Sequence, residues 1–313
     1  MREDCFSSFH PLVNFAFFAC VIIASAFYIH PVFLGISLVC AFIYQWVLQG
    51  FRKTIKSFML ISVPMFLLVL LINPLFSHYG VTILTYLPNG NPVTLESFVY
   101  GLALGVMLCQ MLIWFRCFHH VMTSEKFVYL FGKLVPALSL ILSMCLRFVP
   151  KLGKHATKIS QGQKCIGRDI SNGSLAKKIK NGVTMLSILI TWSLETALIT
   201  ADSMKSRGYG TGLRSAYSLY RFEKRDGWML VVLAGLMAVF LRGSILGVTY
   251  ANYNPKIVVE GLPLTLESGI SYLAYAVFCL LPVIIDGLDA LRWKKLRSTV
   301  VKSGKGAYRL WDF

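Results

Sequence analysis

Runs of about twenty apolar residues recur along this chain between short polar stretches, and a helix crossing a bilayer needs a run of about that length. Residues 12–29, 32–50, 58–76, 98–118, 228–247 and 270–290 form six of them. Two more, 127–149 and 183–204, are as long but flank a lysine-rich segment. The pattern predicts an all-α, polytopic membrane protein with about six transmembrane helices. Composition agrees: 56% of the residues are hydrophobic and 14% charged, where a soluble domain would carry nearer a quarter charged. The first apolar run lacks a small-residue cleavage site and a second run follows at once, so it reads as an anchor rather than a signal peptide.

Charge decides which runs cross. The net charge of +17 is concentrated in a few segments. Residues 51–57 (FRKTIKS) are read as a basic loop. Residues 151–182 hold Lys151, Lys154, Lys158, Lys164, Arg168, Lys177, Lys178 and Lys180 against Asp169 alone, and 205–225 and the tail beyond Arg292 are also basic. By contrast, 77–97 has no Lys or Arg, and 248–269 has only Lys256. The positive-inside rule puts both termini and 51–57 in the cytoplasm and the two sparsely charged loops outside. If 127–149 and 183–204 both crossed, the lysine-rich segment between them would lie outside, against the strongest charge signal in the chain. The expected organisation is therefore transmembrane helices over 1–118, an inserted cytoplasmic-facing region over 119–226, and further spans with a basic tail over 227–313. No DNA or RNA module accompanies the charge, so anionic lipid and acidic protein surfaces are the expected partners, not nucleic acid.

Within the inserted region, Pro150 after "CLRFV" is expected to start a new helix, because proline suits a helix's first turn. Leu152, Ala156, Ile159, Gln163 and Ile166 then recur at steps of three and four, one narrow apolar face. That helix should end near Gly167, with "DISNGS" (169–174) as a turn, and the next, over about 183–206, should end near Gly208. The two tails, "QKCIGRD" and "MKSRGYG", each carry Lys three residues before the Gly. The outer loops echo each other too: "GVTILTYLPNGNPVTLES" (80–97) and "GVTYANYNPKIVVEGLPLTLES" (247–268) share beginnings and ends. Convergent loop composition and a true repeat both fit that echo.

Helix-end chemistry accounts for Arg207-Gly208 taken alone: a basic residue complements the negative pole of the helix and glycine supplies a left-handed cap. The functional reading is a docking tip, in which arginine offers fixed donors to an acidic groove and glycine admits a partner's backbone. Two such tips in a chain without a nucleotide-binding loop or a metal-ligand cluster favour docking. The eight cysteines form no C-x-x-C pair and read as small core residues. His119-His120 reads as an interfacial pair. Asp286 and Asp289 could hold a Mg²⁺-diphosphate, though a local Asp289–Arg292 pair is the simpler account. Arg242 lies near the outer end of its run and can snorkel.

Four stretches resemble the transmembrane T component of energy-coupling factor (ECF) importers for vitamins and metal ions: "NPLFSHYG" (73–80), "LRFVP" (146–150), "GQKCIG" (162–167) and "ADSMKSRGYG" (201–210). The resemblance covers about residues 55–250, and its most specific element is the pair of Ala-Arg-Gly-like triplets at the coupling-helix tips. Here the second triplet is Ser206-Arg207-Gly208. The first aligns with Cys165-Ile166-Gly167 and lacks the arginine, with Arg168 two positions after Ile166 as a substitute. The last span and basic tail extend beyond the family's usual C-terminus.

The resemblance implies a non-enzymatic scaffold in the plasma membrane. Two ABC-type ATPase subunits, identical or not, would dock on Ser206, Arg207 and Gly208 and on Gln163, Cys165, Ile166, Gly167 and Arg168. Asn73, Pro74, Arg147 and Pro150 would serve the S-component contact or the family's structural motif. The small S component would capture the vitamin or transition-metal ion, and ATP and Mg²⁺ would be bound by the ATPases, leaving this chain without catalytic residues, metal or cofactor. The rivals are a membrane enzyme acting on an anionic lipid or prenyl diphosphate and a stand-alone secondary transporter.

Overall fold

Two His-Pro steps begin the first two long helices. His10 and His30 each place Nδ1 to accept a backbone N–H two residues on, from Leu12 at 3.2 Å and Val32 at 3.3 Å. The prolines that follow occupy first-turn positions where no amide donor is needed. The resulting helices are α1 (Pro11–Phe27) and α2 (Pro31–Gln49). The computed structural model describes residues 5–302 apart from 78–79, 87–91, 133–135, 169–173, 210–219, 254–255 and 262–264, with only the backbone at 136–139 and 296–302. The turn expected at 169–173, His78-Tyr79, Gly210 and the tail beyond 302 lie outside the described residues.

The chain divides into two compact units, one of Met1–Thr123 with Tyr220–Phe313 and the other of Ser124–Leu219. In the first, Gly50 at φ +84° breaks the chain after α2. Residues 51–57 are then not a loop but helix α3 (Phe51–Ser57), continuing through a π-helical turn at Phe58–Ser62 into α4 (Val63–Phe76). A short antiparallel pair, β1 (Ile83–Tyr86) and β2 (Pro92–Thr94), leads into α5 (Leu95–Val121). After the second unit come α9 (Lys224–Ile245), the pair β3 (Ala251–Asn252) and β4 (Val258–Val259), and α10 (Leu266–Lys302). The second unit holds α6 (Ser124–Gly132), α7 (Pro136–Cys165) and α8 (Leu175–Ser206).

Among the described residues, six helices are long and apolar enough to cross a membrane: 31–49, 51–76, 95–121, 175–206, 224–245 and 266–295. They are not quite the expected set. α1 is shorter than these six, 17 residues ended by the extended backbone at Tyr28. Its Val13, Phe17, Phe18 and Val21 are fully buried, making it a core element of the first unit. α8 qualifies by length and composition, and it begins at Leu175 rather than 183. The described residues of the run 127–149 divide between α6 and α7.

The core of the first unit is aromatic. Phe33 meets Phe240 edge-on at 5.1 Å, Phe240 stacks on Tyr275 at 4.9 Å, and the buried Trp114 donates from Nε1 to Ser37 Oγ at 3.0 Å. α5 packs on α4 through glycines. A Cβ at Gly101 would lie 3.0 Å from the Cβ of Asn73, and one at Gly105 would lie 2.8 Å from the Phe66 ring. "GLALG" (101–105) is thus a small-xxx-small seam of the kind that lets membrane helices approach closely.

One end of this unit gathers the sparsely charged loops. His30 Nε2 lies 3.0 Å from Glu260 O, and Tyr253 donates to Ile29 O at 2.9 Å. Burial pushes the His30 pKa below its ordinary value. Both "TLES" segments act as helix caps: Thr94 Oγ1 accepts from Ser97 N at 3.3 Å and Thr265 Oγ1 from Ser268 N at 3.4 Å. Each echo segment therefore folds as a hairpin, a threonine cap and a long helix. At the other end, Asp226 accepts the His10 amide at 3.2 Å, Arg225 lies over the Phe9 ring at 4.5 Å, and Asp286 accepts the Phe6 amide at 3.1 Å. No Asp289–Arg292 ion pair occurs among the described residues.

Candidate functional site

α7 and α8 end in the same turn. At the end of α7, the Gly167 amide donates to Lys164 O at 3.0 Å and the Arg168 amide to Gln163 O at 2.9 Å. At the end of α8, the Gly208 amide donates to Lys205 O at 3.0 Å and the Tyr209 amide to Met204 O at 3.1 Å. Both glycines have φ +74°. This is the Schellman arrangement, which satisfies carbonyls a helix end would leave open, and the positive φ is what requires glycine. A Cβ at Gly167 would meet nothing within 4 Å, so backbone conformation rather than crowding sets the residue there.

Superposed by these hydrogen bonds, Lys164 corresponds to Lys205, Cys165 to Ser206, Ile166 to Arg207, Gly167 to Gly208 and Arg168 to Tyr209. Arg168 therefore does not stand in the Arg207 position. It follows the glycine, and the position itself is taken by Ile166, which is 63% exposed. Lys164 and Lys205 sit where the helix's negative pole favours a cation. Ser206 Oγ donates back to Asp202 O at 2.9 Å, which keeps the α8 end helical up to Arg207. Arg207 is exposed and has no ion pair among the described residues. A guanidinium so placed presents its planar set of donors outward.

The other expected site residues are placed differently. Asn73 and the buried Pro74 lie near the end of α4, where Asn73 forms the α5 contact and accepts the Ser77 amide at 2.8 Å. That role is a helix-packing one. Arg147 is exposed on α7. Pro150 does not start a helix: α7 runs through it without interruption. The ring removes one backbone donor, but its fixed φ is helical and the helix continues on both sides. Sequence reasoning missed the Gly101–Gly105 seam, which the G-x-x-x-G spacing inside an apolar run would have revealed. It also missed Trp192, which α7 side chains cover.

Among the described residues no group of three or more His, Cys, Asp or Glu is arranged to hold a metal ion. The cysteines are free, with Cys40, Cys109, Cys117 and Cys279 buried and Cys145 and Cys165 exposed.

A family model described as cobalt transport protein, CbiQ, matches residues 5–218. The match starts nearer the N-terminus than the motifs suggested and ends before α9. The chain is 36% identical over 110 residues to the energy-coupling factor transporter transmembrane protein EcfT of Lactobacillus helveticus, covering 34% of this chain and 40% of that protein. It is 39% identical over 108 residues to the protein of the same name from Lactococcus lactis subsp. cremoris, covering 34% and 40%. The chain thus spans about two fifths of the length of the curated relatives it matches.

Proposed function

The chain belongs to the CbiQ cobalt transport protein family, a family of transporter components rather than enzymes, and we propose that it is the transmembrane scaffold, the T component, of an ECF importer. The observation that carries this reading is the pair of matched, solvent-facing helix ends in the unit Ser124–Leu219. In this reading Arg207 donates to acidic or carbonyl acceptors on one ABC-type ATPase, while Ser206 and Gly208 admit its backbone closely. The α7 end docks on the second ATPase through Ile166, with Arg168, Gln163, Cys165 and Gly167 around it. The ATPases bind ATP and Mg²⁺, and this chain supplies no catalytic residue.

A substrate-capturing S component rests on the apolar surface of the second unit. Leu186, Ile190, Leu194 and Leu198 recur every four residues along α8 and are exposed, forming a stripe suited to another membrane helix. The cargo, a vitamin or transition-metal ion, is selected by that partner. Both termini and the second unit face the cytoplasm of a plasma-membrane protein, an orientation supported by the distribution of Lys and Arg.

Coexpression with the ATPase subunits tests the assignment. Arg207→Glu is expected to abolish their co-purification and leave membrane insertion intact. Unchanged assembly would overturn the role given to Arg207.

A further inference from the structure

Two open surface depressions lie along the helical segment 51–76 and α5, the first also bordered by Gln49 at the end of α2. One, of about 340 Å³, is lined by Gln49, Ser57, Arg116, His119 and His120. Among the described residues, no carboxylate lines it. The other, of about 540 Å³, is apolar, and Leu60, Pro64 and Leu68 on one side face Leu108, Leu112 and Phe115 on the other.

The spacing makes them one feature. On α5, residues 108, 112, 116 and 119 fall at steps of four, four and three, with 115 beside 116 on the same face, so a single stripe runs from apolar to the Arg116 end. Opposite it on the antiparallel segment, Ser57 lies at the cationic end and 60, 64 and 68 continue along the apolar part. Leu60, Leu68 and Phe115 are 68%, 51% and 41% exposed, so neither unit-one core packing nor α4 itself fills the trough. From Arg116 to Leu108 the stripe runs for about 12 Å at the α-helical rise.

We propose that this crevice binds one anionic phospholipid, with its phosphate at Arg116, His119 and His120 and an acyl chain along the Leu60–Phe115 trough. Arg116 carries a permanent charge, and each histidine offers at least one ring N–H. The C-terminal pole of α5 works against an anion, so the Arg116 guanidinium and the histidine N–H groups must carry recognition. The bilayer supplies such lipids at the level where these helices end, and the trough suits a chain that a free phosphate lacks. The inference is independent of how the α7 and α8 ends dock.

Native mass spectrometry of the full chain in detergent, titrated with phosphatidylglycerol or phosphatidylcholine, tests it. Phosphatidylglycerol should be retained about tenfold more strongly than the zwitterionic lipid. Arg116→Glu should remove that preference, and Leu112→Trp, which fills the trough, should weaken both lipids. Arg116→Gln and the double variant His119→Gln/His120→Gln, checked for unchanged size-exclusion elution, should each reduce the preference even if the charge reversal fails to fold. Glycerophosphoglycerol, the headgroup without chains, should not displace the lipid. Equal retention of the two lipids, or a preference untouched by these variants, would overturn the proposal. Displacement by the soluble headgroup would also overturn it, by identifying a phosphate site without an acyl-chain contribution.

Discussion

His155 lies flat on Trp192, with ring centroids 3.6 Å apart and planes inclined by 22°. Phe148 stacks on the same indole at 6.0 Å and Lys151 Nζ sits 5.4 Å from its centre. Residues 148, 151 and 155 form one stripe of α7, so Trp192 of α8 is held at several points along it. From this pin the α7 tip at Ile166 lies roughly 16 Å on and the α8 tip at Arg207 roughly 22 Å on, at 1.5 Å per residue. A stiff pin transmits motion at one tip to the other helix. Trp192→Ala removes aromatic pairing of about 0.5–1.5 kcal/mol plus the buried ring area. On the function proposed above, it is expected to lower ATP-driven uptake several-fold while the ATPases still co-purify, and Trp192→Phe should restore most of it. Uptake assays in reconstituted vesicles decide; wild-type uptake by Trp192→Ala would remove the pin from the mechanism.

The tip glycines can be tested apart from the arginine. Alanine at φ +74° costs about 1–2 kcal/mol, and nothing crowds a Cβ at Gly167. Gly167→Ala and Gly208→Ala should therefore fray only the last helical turn. Hydrogen exchange should quicken at the Arg168 and Tyr209 amides, the two that close the turns, and leave mid-helix amides unchanged. Loss of protection throughout α8 would mean that the turn does more than cap the helix.

Sidedness has a direct measurement. Lys177 lies in the first turns of α8, inside the lysine-rich stretch whose charge argues for the cytoplasm. Lys177→Cys, in a background with Cys145 and Cys165 changed to Ser, should resist an impermeant thiol reagent added to intact cells and react after permeabilisation. Labelling from outside would place α7 and α8 across the bilayer, which their lengths allow.

The α4–α5 seam predicts a stability effect. Gly105→Leu drives a side chain into Phe66 and Gly101→Leu into Asn73, and overpacking of this kind costs about 1–3 kcal/mol. Each variant should lower the thermal midpoint in detergent, with the pair falling further than either. An unchanged midpoint would show that the helices separate at little cost.

What the sequence made legible was local. Apolar runs and the Gly punctuation at 167 and 208 marked the elements and both tips, because span length and positive φ are written in neighbouring residues. What it hid depended on packing or competing local rules. Residues 51–57 look like a polar loop, yet Gly50 turns the chain so that they begin a helix instead. Pro150 reads as a start, yet the flanking turns carry the helix through it. The triplet alignment already set Ile166 against Arg207; what needed the hydrogen bonds of the two turns was the place of Arg168, which corresponds to Tyr209 rather than standing in for the missing arginine.

His30 makes the loop end of the first unit sensitive to acid. Its Nδ1 accepts the Val32 amide at 3.3 Å, so the proton belongs on Nε2, which donates to Glu260 O at 3.0 Å with Tyr272 Oη 3.3 Å away. Protonation would put a donor on Nδ1, facing another donor, and would charge a ring that is 1% exposed. Burial accordingly lowers the folded-state pKa, and the unfolded chain binds the proton more readily. Stability from this group is therefore complete above the ordinary histidine value of about 6.5 and is lost as pH falls from there through the folded value. Thermal unfolding in detergent between about pH 8 and pH 5 should show the midpoint falling on the acid side. In His30→Gln, which can still donate to Glu260 but does not titrate, that acid-side fall should be smaller. Equal pH profiles for the two proteins would remove His30 as the cause.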